Sequence, residues 1–219
     1  MKTSRITQIK NELRQVLLQT RIGMTCRLPV LLLLASMVAV HAGDFSYMIN
    51  NDQTVTITGY TGPGGAVTIP NAINNLPVVS IGQMAFYRCA SLASVLIPNG
   101  VTSIKASAFY SCISLTSVTI PNSVVSIEAS AFYSCTSLAS VTIQDNSPGG
   151  SSAFYSYPRL ANIGDSAFYS CTSLTKICFE GNAPILGSNV FAGDNNLTVY
   201  YVAGTTGWGP TFGGRPTAQ

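Results

Sequence analysis

Apolar residues alternate with other residues in a short motif that recurs along most of the chain. In each copy two apolar residues flank a middle one, and proline often follows. Residues two apart lie on one face of a β-strand, so the flanking pair is predicted to point inward and the middle residue outward. Proline cannot donate to a sheet ladder and therefore ends the strand. The copies are Val67-Thr68-Ile69, Val95-Leu96-Ile97, Val118-Thr119-Ile120, Val141-Thr142-Ile143, Ile177-Cys178-Phe179 and Tyr200-Tyr201-Val202.

A second motif lies before four of these six strands. Cysteine comes three residues after an Ala-Phe pair and leucine three residues after the cysteine, as in Ala108–Leu115. This spacing predicts a short helical turn with one inward face. Phe86, Phe109 and Phe132 recur at a constant interval, and Phe168 marks a further copy. A period of this length, in the range of about 20–29 residues, is typical of a solenoid, in which each coil buries its apolar face against the next coil.

The period fails in one place. Phe154 lies much closer to Phe168 than the period allows, and polar residues and glycines replace apolar positions before it. We therefore predict a defective coil over residues 144–163. It would have a bulged loop from Gln144 to Ser152, no strand of its own, and Phe154 and Leu160 partly inward.

The segment 1–42 has the composition of a signal peptide. Basic residues precede the apolar run Leu28–Val40, and Val40-His41-Ala42 supplies small residues before a cleavage position. The run is short for a membrane span, although an uncleaved anchor is the alternative. We predict a signal peptide over residues 1–42, with Met24 as an alternative start, and hence an exported chain.

The region before the repeats has the pattern of a β-hairpin. Residues 45–58 alternate apolar and polar side chains on either side of the turn-forming segment Asn50–Gln53. A terminal coil must not leave its core open to water, so this hairpin is predicted to cap the stack. The cap and its loop would occupy residues 43–66, the repeats residues 67–202 and a C-terminal tail residues 203–219.

The repeat consensus resembles a known family. The pattern Ala-Phe-x-x-Cys-x-Ser-Leu-x-Ser-Val-x-Ile-Pro-x-x-Val-x-Ser-Ile is similar to the BspA-like (Treponema-type) leucine-rich repeats of bacterial surface proteins, over roughly residues 67–202. The resemblance implies a leucine-rich repeat solenoid, a right-handed β/α superhelix with a parallel sheet on one side. It also implies a secreted or cell-surface protein, often one that binds host or neighbouring-cell molecules, and it brings no catalytic residues.

Charge and composition exclude several functions for the chain after residue 42. Its five basic and seven acidic residues are scattered, so it lacks the charged footprint of a nucleic-acid-binding protein. Membrane contact is expected only through the signal peptide. The single histidine, His41, lies in that peptide, which excludes Ser-His-Asp and Cys-His nucleophiles and histidine metal sites. We therefore expect no enzymatic activity and no cofactor.

The outward strand positions are the first candidate binding residues. They form a flat, small-side-chain, hydroxyl-rich face, which suits a broad protein or glycan contact and does not suit a deep pocket. Plain solvent exposure is the alternative. These residues are Ser94, Leu96, Ser117, Thr119, Ser140, Thr142 and Lys176.

A tyrosine follows the phenylalanine in each full turn, and together these residues predict an aromatic file. Such a file would stack on sugars or grip an apolar partner, or else act as an amphipathic lid over the neighbouring turn. Its members are Tyr87, Tyr110, Tyr133 and Tyr169.

Four cysteines share one repeat position: Cys89, Cys112, Cys135 and Cys171. Ligands in a line do not converge on a metal, so buried thiols are expected, with disulfides between adjacent coils as the alternative. Cys178 stands at an outward strand position and is predicted to be an accessible thiol, unless the C-terminal segment covers it.

The sequence thus favours an exported leucine-rich-repeat binding module that mediates protein or glycan interaction or adhesion. A structural or spacer element without a specific ligand is the alternative.

Overall fold

The computed structural model describes residues 42–145 and 160–219. These residues belong to one compact unit of the chain, residues 32–219. Apart from Ala42, the predicted signal peptide lies outside them, and it stays a prediction. Within the described residues no helix is long and apolar enough to cross a membrane.

Two sheets form the described structure, and most of their strands are parallel. A short 3-10 helix, Ala42–Asp44, precedes them. The first sheet has the order β1 (Phe45–Ile49), β2 (Val55–Tyr60), β5 (Leu76–Ile81), β7 (Ser103–Ile104), β9 (Ser126–Ile127), β11 (Asn162–Ile163) and β13 (Ile185–Leu186), with β4 (Ala72–Ile73) paired to β5. The second sheet has the order β15 (Thr211–Phe212), β16 (Arg215–Ala218), β14 (Thr198–Tyr201), β12 (Lys176–Phe179), β10 (Ser140–Ile143), β8 (Ser117–Ile120), β6 (Leu92–Leu96) and β3 (Gly65–Thr68).

The second sheet contains the strands that the recurring motif predicts. Its register is the repeat register, because Val118 pairs with Val95 on one side and with Val141 on the other. The first sheet was not predicted, since the sequence pattern indicated one sheet only. Most of its repeat strands are only two residues long, such as Ser103–Ile104, and two residues are too few to show an alternation.

The predicted helical turns are wrong, because the described residues contain no α-helix. Ser107 and Ser111 have φ values of 56° and 54°, which lie outside the right-handed helical region. The amide of Phe109 donates to Ala131 of the next coil at 2.7 Å, and the amide of Tyr110 donates back to Ser107 at 3.1 Å. Alternate amides thus link coils, whereas a helix would use them within one coil. The fold is a stack of strands and turns.

A file of phenylalanine rings runs through the interior of the turns. Phe86, Phe109, Phe132 and Phe168 are stacked with ring centroids 4.8–5.1 Å apart, and Phe191 follows at 5.9 Å. All five side chains are buried. A single axis of stacked coils therefore holds the core, as the period predicts.

The predicted defective coil contributes no strand to the second sheet, since β10 pairs directly with β12. It does contain β11 of the first sheet, so the prediction that it has no strand of its own is wrong. In the first sheet Ile163 pairs with Ile127, so the regular repeat resumes there. Leu160 is half-buried against the core, also as predicted. Phe154 and most of the predicted bulged loop lie outside the described residues.

Each end of the stack carries additional strands. At the N-terminal end β1 and β2 pair antiparallel, and the rings of Phe45 and Tyr60 lie 6.3 and 5.2 Å from that of Phe86. At the C-terminal end the predicted tail forms the antiparallel pair β15–β16, and β16 extends the second sheet by pairing parallel with β14. Trp208 of this segment packs on Phe179 with a centroid distance of 5.0 Å.

Candidate functional site

The predicted binding residues lie in two columns on the outer face of the second sheet. Ser94, Ser117, Ser140 and Lys176 are register partners in one column, and Leu96, Thr119 and Thr142 are partners in the other. Adjacent strands in a sheet are about 5 Å apart, so each column repeats a similar side chain at that interval. Leu96 is exposed, with 58% of its surface accessible, and Ser117 and Thr119 are exposed as well. We call this set of seven residues the strand face.

The structure extends these columns beyond the residues that the sequence indicated. Thr198 pairs with Lys176, and Tyr200 pairs with Cys178. The Lys176 ammonium lies 5.0 Å from the centre of the Tyr200 ring. The sequence motif was assigned one residue too late in this coil, because Val199 and not Tyr200 takes the inward position. Two adjacent tyrosines followed by valine obscured the alternation that Thr198-Val199-Tyr200 carries.

Cys178 is not an accessible thiol, so that prediction is wrong. Its position is outward in register with Thr142, yet only 1% of its surface is exposed. The position in the sheet indicates which face a side chain takes and does not indicate what covers that face. The outer face is therefore closed at Cys178, whereas Thr198 and Tyr200 on the next strand are partly exposed.

The four tyrosines form the predicted file. Tyr87, Tyr110, Tyr133 and Tyr169 stack with ring centroids 4.8–5.2 Å apart. The Arg88 guanidinium lies over the Tyr87 ring at 5.2 Å. The faces between neighbouring rings are thus occupied, and Arg88 lies over the first ring, so a partner would meet mainly ring edges and hydroxyl groups. This geometry favours the lid interpretation over stacking on sugars.

The cysteine column forms a ladder of sulfur hydrogen bonds. Cys112, Cys135 and Cys171 are buried free thiols, and each donates to a phenylalanine carbonyl of the preceding coil at 3.1 Å. The acceptors are Phe86, Phe109 and Phe132 respectively. Burial raises the pKa of Cys135 to about 12 and that of Cys171 well above its usual range. These thiols are therefore unreactive donors within the core.

An aspartate takes the cysteine position in the last coil, and sequence reasoning missed it. Asp194 follows Phe191 by three residues, as Cys171 follows Phe168. The Asp194 side chain is completely buried, and neither carboxylate oxygen has a hydrogen-bond partner. Burial raises the pKa of Asp194 to about 7, against smaller opposing effects of the Cys171 backbone and Arg215. The common spacing of three residues was the signal that could have revealed this carboxyl.

Arg215 completes the ladder of phenylalanine carbonyls at the C-terminal end. Its guanidinium donates to the Phe191 carbonyl through Nε at 3.2 Å and Nη2 at 2.7 Å. In three earlier coils, those of Phe86, Phe109 and Phe132, a cysteine of the following coil donates to this carbonyl. Arg215 of β16 thus supplies the donor that a further coil would bring. Among the residues that the structure describes, no three potential metal ligands cluster together.

The chain is similar to bacterial leucine-rich-repeat proteins. The family model for the BspA type leucine rich repeat region matches residues 66–206 in six copies. The crystal structure of a Treponema pallidum leucine rich repeat protein is 32% identical, with a TM-score of 0.62, over 74% of this chain and 70% of that one.

Two further crystal structures are 26% identical, each with a TM-score of 0.45. A leucine rich cell surface protein from Faecalibacterium prausnitzii matches over 74% of this chain and 54% of its own length. A leucine-rich repeat protein from Bacteroides capillosus matches over 75% of this chain and 98% of its own length. No curated protein shows significant similarity to the chain. The matched repeats cover more than half of the residues, so the chain belongs to the BspA-type leucine-rich-repeat family.

Proposed function

We propose that this protein is an exported bacterial binding module, secreted or held at the cell surface, which attaches to a protein or glycan through the strand face. The observation that carries the proposal is the register of that face, which presents Ser117, Thr119, Ser140 and Thr142 side by side on neighbouring strands. A flat array of small hydroxyl side chains offers many weak hydrogen bonds over a wide area. Such a surface suits an extended partner better than a small substrate.

Family membership supports a role in interaction. Stacked repeats create a long surface from one small unit, and solenoid proteins use such surfaces for binding. The absence of histidine after residue 42 supports a function without catalysis. In this proposal the superhelix is right-handed and the β1–β2 hairpin acts as a cap, with Phe45 and Tyr60 covering the first ring of the phenylalanine file.

The test compares two variants for binding to a glycan array and to a panel of immobilised extracellular-matrix proteins. Thr119→Ala/Thr142→Ala/Lys176→Ala removes polar groups from the strand face. Ser103→Ala/Ser126→Ala changes the first sheet and serves as the control. We expect the triple variant to lose binding while its unfolding midpoint and the control's binding stay unchanged.

Equal binding by the triple variant and the unmodified chain would reject the strand face. The alternative function, a spacer without a specific ligand, predicts no saturable binding of the unmodified chain to any array member. Export has a separate test, which is N-terminal sequencing of the protein recovered outside the cells. Cleavage after Ala42 would give a chain that starts at Gly43.

A further inference from the structure

The hydrogen bonds between successive turns stop at the last coil. In the coil before it, the amides of Ser166, Phe168 and Ser170 donate to carbonyls of the last coil at 2.8–3.0 Å. The equivalent amides of the last coil belong to Asn189, Phe191 and Gly193. None of these three donates a hydrogen bond to any acceptor in the described part of the chain. The last turn therefore presents a row of free backbone donors.

The strands beyond the last coil leave this row uncovered. β16 continues the second sheet past β14, whereas no described strand pairs with the outer edge of β13 in the first sheet. Ile185 in β13 is accordingly 76% exposed. The result is an open cleft of about 490 Å³ between the last turn and the segment that leads into β16. We call it the C-terminal step. Asn189, Phe191, Ala192, Gly213, Gly214 and Arg215 are among the residues that line it.

The C-terminal step carries a positive charge. Arg215 lies at its wall and forms no ion pair with any residue that the structure describes. Two glycines with φ values of 59° and 77°, Gly213 and Gly214, make the turn that leads to it. A Cβ at Gly213 would lie 2.7 Å from the Phe191 ring, so glycine is required for this close approach.

We infer that the C-terminal step binds a peptide segment that adopts the same kind of turn and carries an acidic side chain, which is a partner distinct from the ligand of the strand face. The carbonyls of such a segment accept from the amides of Asn189, Phe191 and Gly193, as those of a further coil would. An added segment gains affinity from main-chain hydrogen bonds. A carboxylate on the segment pairs with the Arg215 guanidinium.

A second copy of the chain does not fit the step. β16 at this end and β3 with the β1–β2 hairpin at the other end would lie between the copies. A second copy would therefore present strands, and not a full turn, to the amides of Asn189 and Phe191. A short turn-forming segment has no such strands.

The test uses the heptapeptide acetyl-Ser-Asn-Val-Ala-Ala-Gly-Asp-amide, added to the full chain at pH 6. The peptide copies residues 188–194 of the last turn, whose carbonyls accept hydrogen bonds from the amides of the preceding coil. Alanine replaces phenylalanine in the peptide because Gly213 already lies against the Phe191 ring. At this pH Asp194 is largely protonated. The readout is amide hydrogen exchange by NMR. We expect exchange at Asn189, Phe191 and Gly193 to slow with increasing peptide, and exchange at Ser166, Phe168 and Ser170 to stay unchanged.

Two comparisons test whether the peptide carboxylate pairs with the Arg215 guanidinium. A peptide that ends in asparagine, and the variant Arg215→Gln, should each weaken binding about fivefold, the effect of one partly exposed ion pair. Because Arg215→Gln also removes hydrogen bonds to Phe191, Ala192→Glu is the second variant, with Ala192→Gln as its control. The glutamate places a competing carboxylate in the cleft, so it should weaken binding more than the glutamine does.

Four results would overturn the inference. The first is unchanged hydrogen exchange at the three amides with millimolar peptide, and the second is equal binding of the peptides that end in aspartate and in asparagine. The third is the same protection of these amides by sodium acetate alone. The fourth is protection that appears only when sedimentation shows dimerisation of the protein.

Discussion

The thiols of the cysteine column act as structural hydrogen-bond donors. A purely hydrophobic role for Cys112, Cys135 and Cys171 would require no particular direction of the sulfur. Instead each sulfur lies 3.1 Å from the carbonyl oxygen of a phenylalanine in the coil before. That carbonyl also accepts from the backbone amide three residues later in its own coil, so the sulfur supplies the second of its two hydrogen bonds.

Substitution of Cys135 separates packing from hydrogen bonding. Cys135→Ala removes both the sulfur volume and the donor to Phe109, so it should lower the free energy of unfolding by about 1–3 kcal/mol. Cys135→Ser keeps a donor and should cost less. Urea unfolding under reducing conditions measures both variants. Equal losses for serine and alanine would show that the sulfur hydrogen bond contributes nothing.

Asp194 makes stability depend on pH in an unusual direction. Its pKa in the folded chain is about 7, whereas an unfolded aspartate has a pKa of about 4. Between these values the folded state binds the proton more tightly, so the free energy of unfolding falls as the pH rises from about 4 to about 7. Above about 7 both states are ionised, and this contribution stays constant.

Replacement of Asp194 by the repeat residue tests this linkage. Asp194→Cys restores the column and removes the buried carboxyl, so the variant should unfold at higher urea concentration than the unmodified chain at pH 8. Asp194→Asn is the matched control of similar size, and it too should lose the fall between pH 4 and 7. An unmodified chain whose urea midpoint rises over that interval would contradict the assignment.

At the scale of elements, the turns show why the sequence was ambiguous. A spacing of three between Phe109, Cys112 and Leu115 fits one helical face, and it fits successive tight turns equally well. Serines with φ near +55°, such as Ser111 and Ser134, show that these residues form turns and not a helix. Serine at a left-handed position leaves no clear sequence signal, because glycine and asparagine are the usual residues there. The two-residue strands of the first sheet were not predicted for a related reason, because two residues show no alternation.

Ser134→Gly distinguishes the two geometries by the sign of its effect. Glycine has no Cβ and therefore adopts the left-handed φ without the steric cost that serine has there. The free energy of unfolding should rise by about 0.5–1 kcal/mol. In a helix the same change would lower it by about the same amount. Ser137→Gly is the control, because Ser137 has no left-handed φ and should lose stability or stay unchanged. Urea unfolding measures both variants, and a loss for Ser134→Gly would contradict the turn geometry.

At the scale of the whole molecule, the period carried most of the information. It predicted one stack with a single phenylalanine file, and it located the coil that adds no strand between β10 and β12. The ends could not be predicted in the same way, because a repeat rule ends where the repeats end. The additional strand β16, the Arg215 donor and the free amides of the last turn all depend on residues outside the consensus. The candidate sites were also predictable only in part. The alternation of the sequence predicted which side chains point outward, but it did not predict that Cys178 is buried.

Interruption of the phenylalanine file should reveal whether the coils are coupled only to their neighbours. Phe132→Ala removes a buried ring that stacks on Phe109 and Phe168, so it should cost about 3–5 kcal/mol of unfolding free energy. In a stack held by nearest-neighbour contacts, the loss divides the array into two parts of separate stability. Hydrogen exchange should therefore quicken most at Ser111 and Ser134, whose amides bond across these coils, and least at Phe86. Tyr60→Ala is the matched control at the end of the file, since it uncovers only Phe86 and should quicken exchange there first. Uniform quickening in both variants would mean that the array unfolds as one unit, with coupling that extends well beyond adjacent coils.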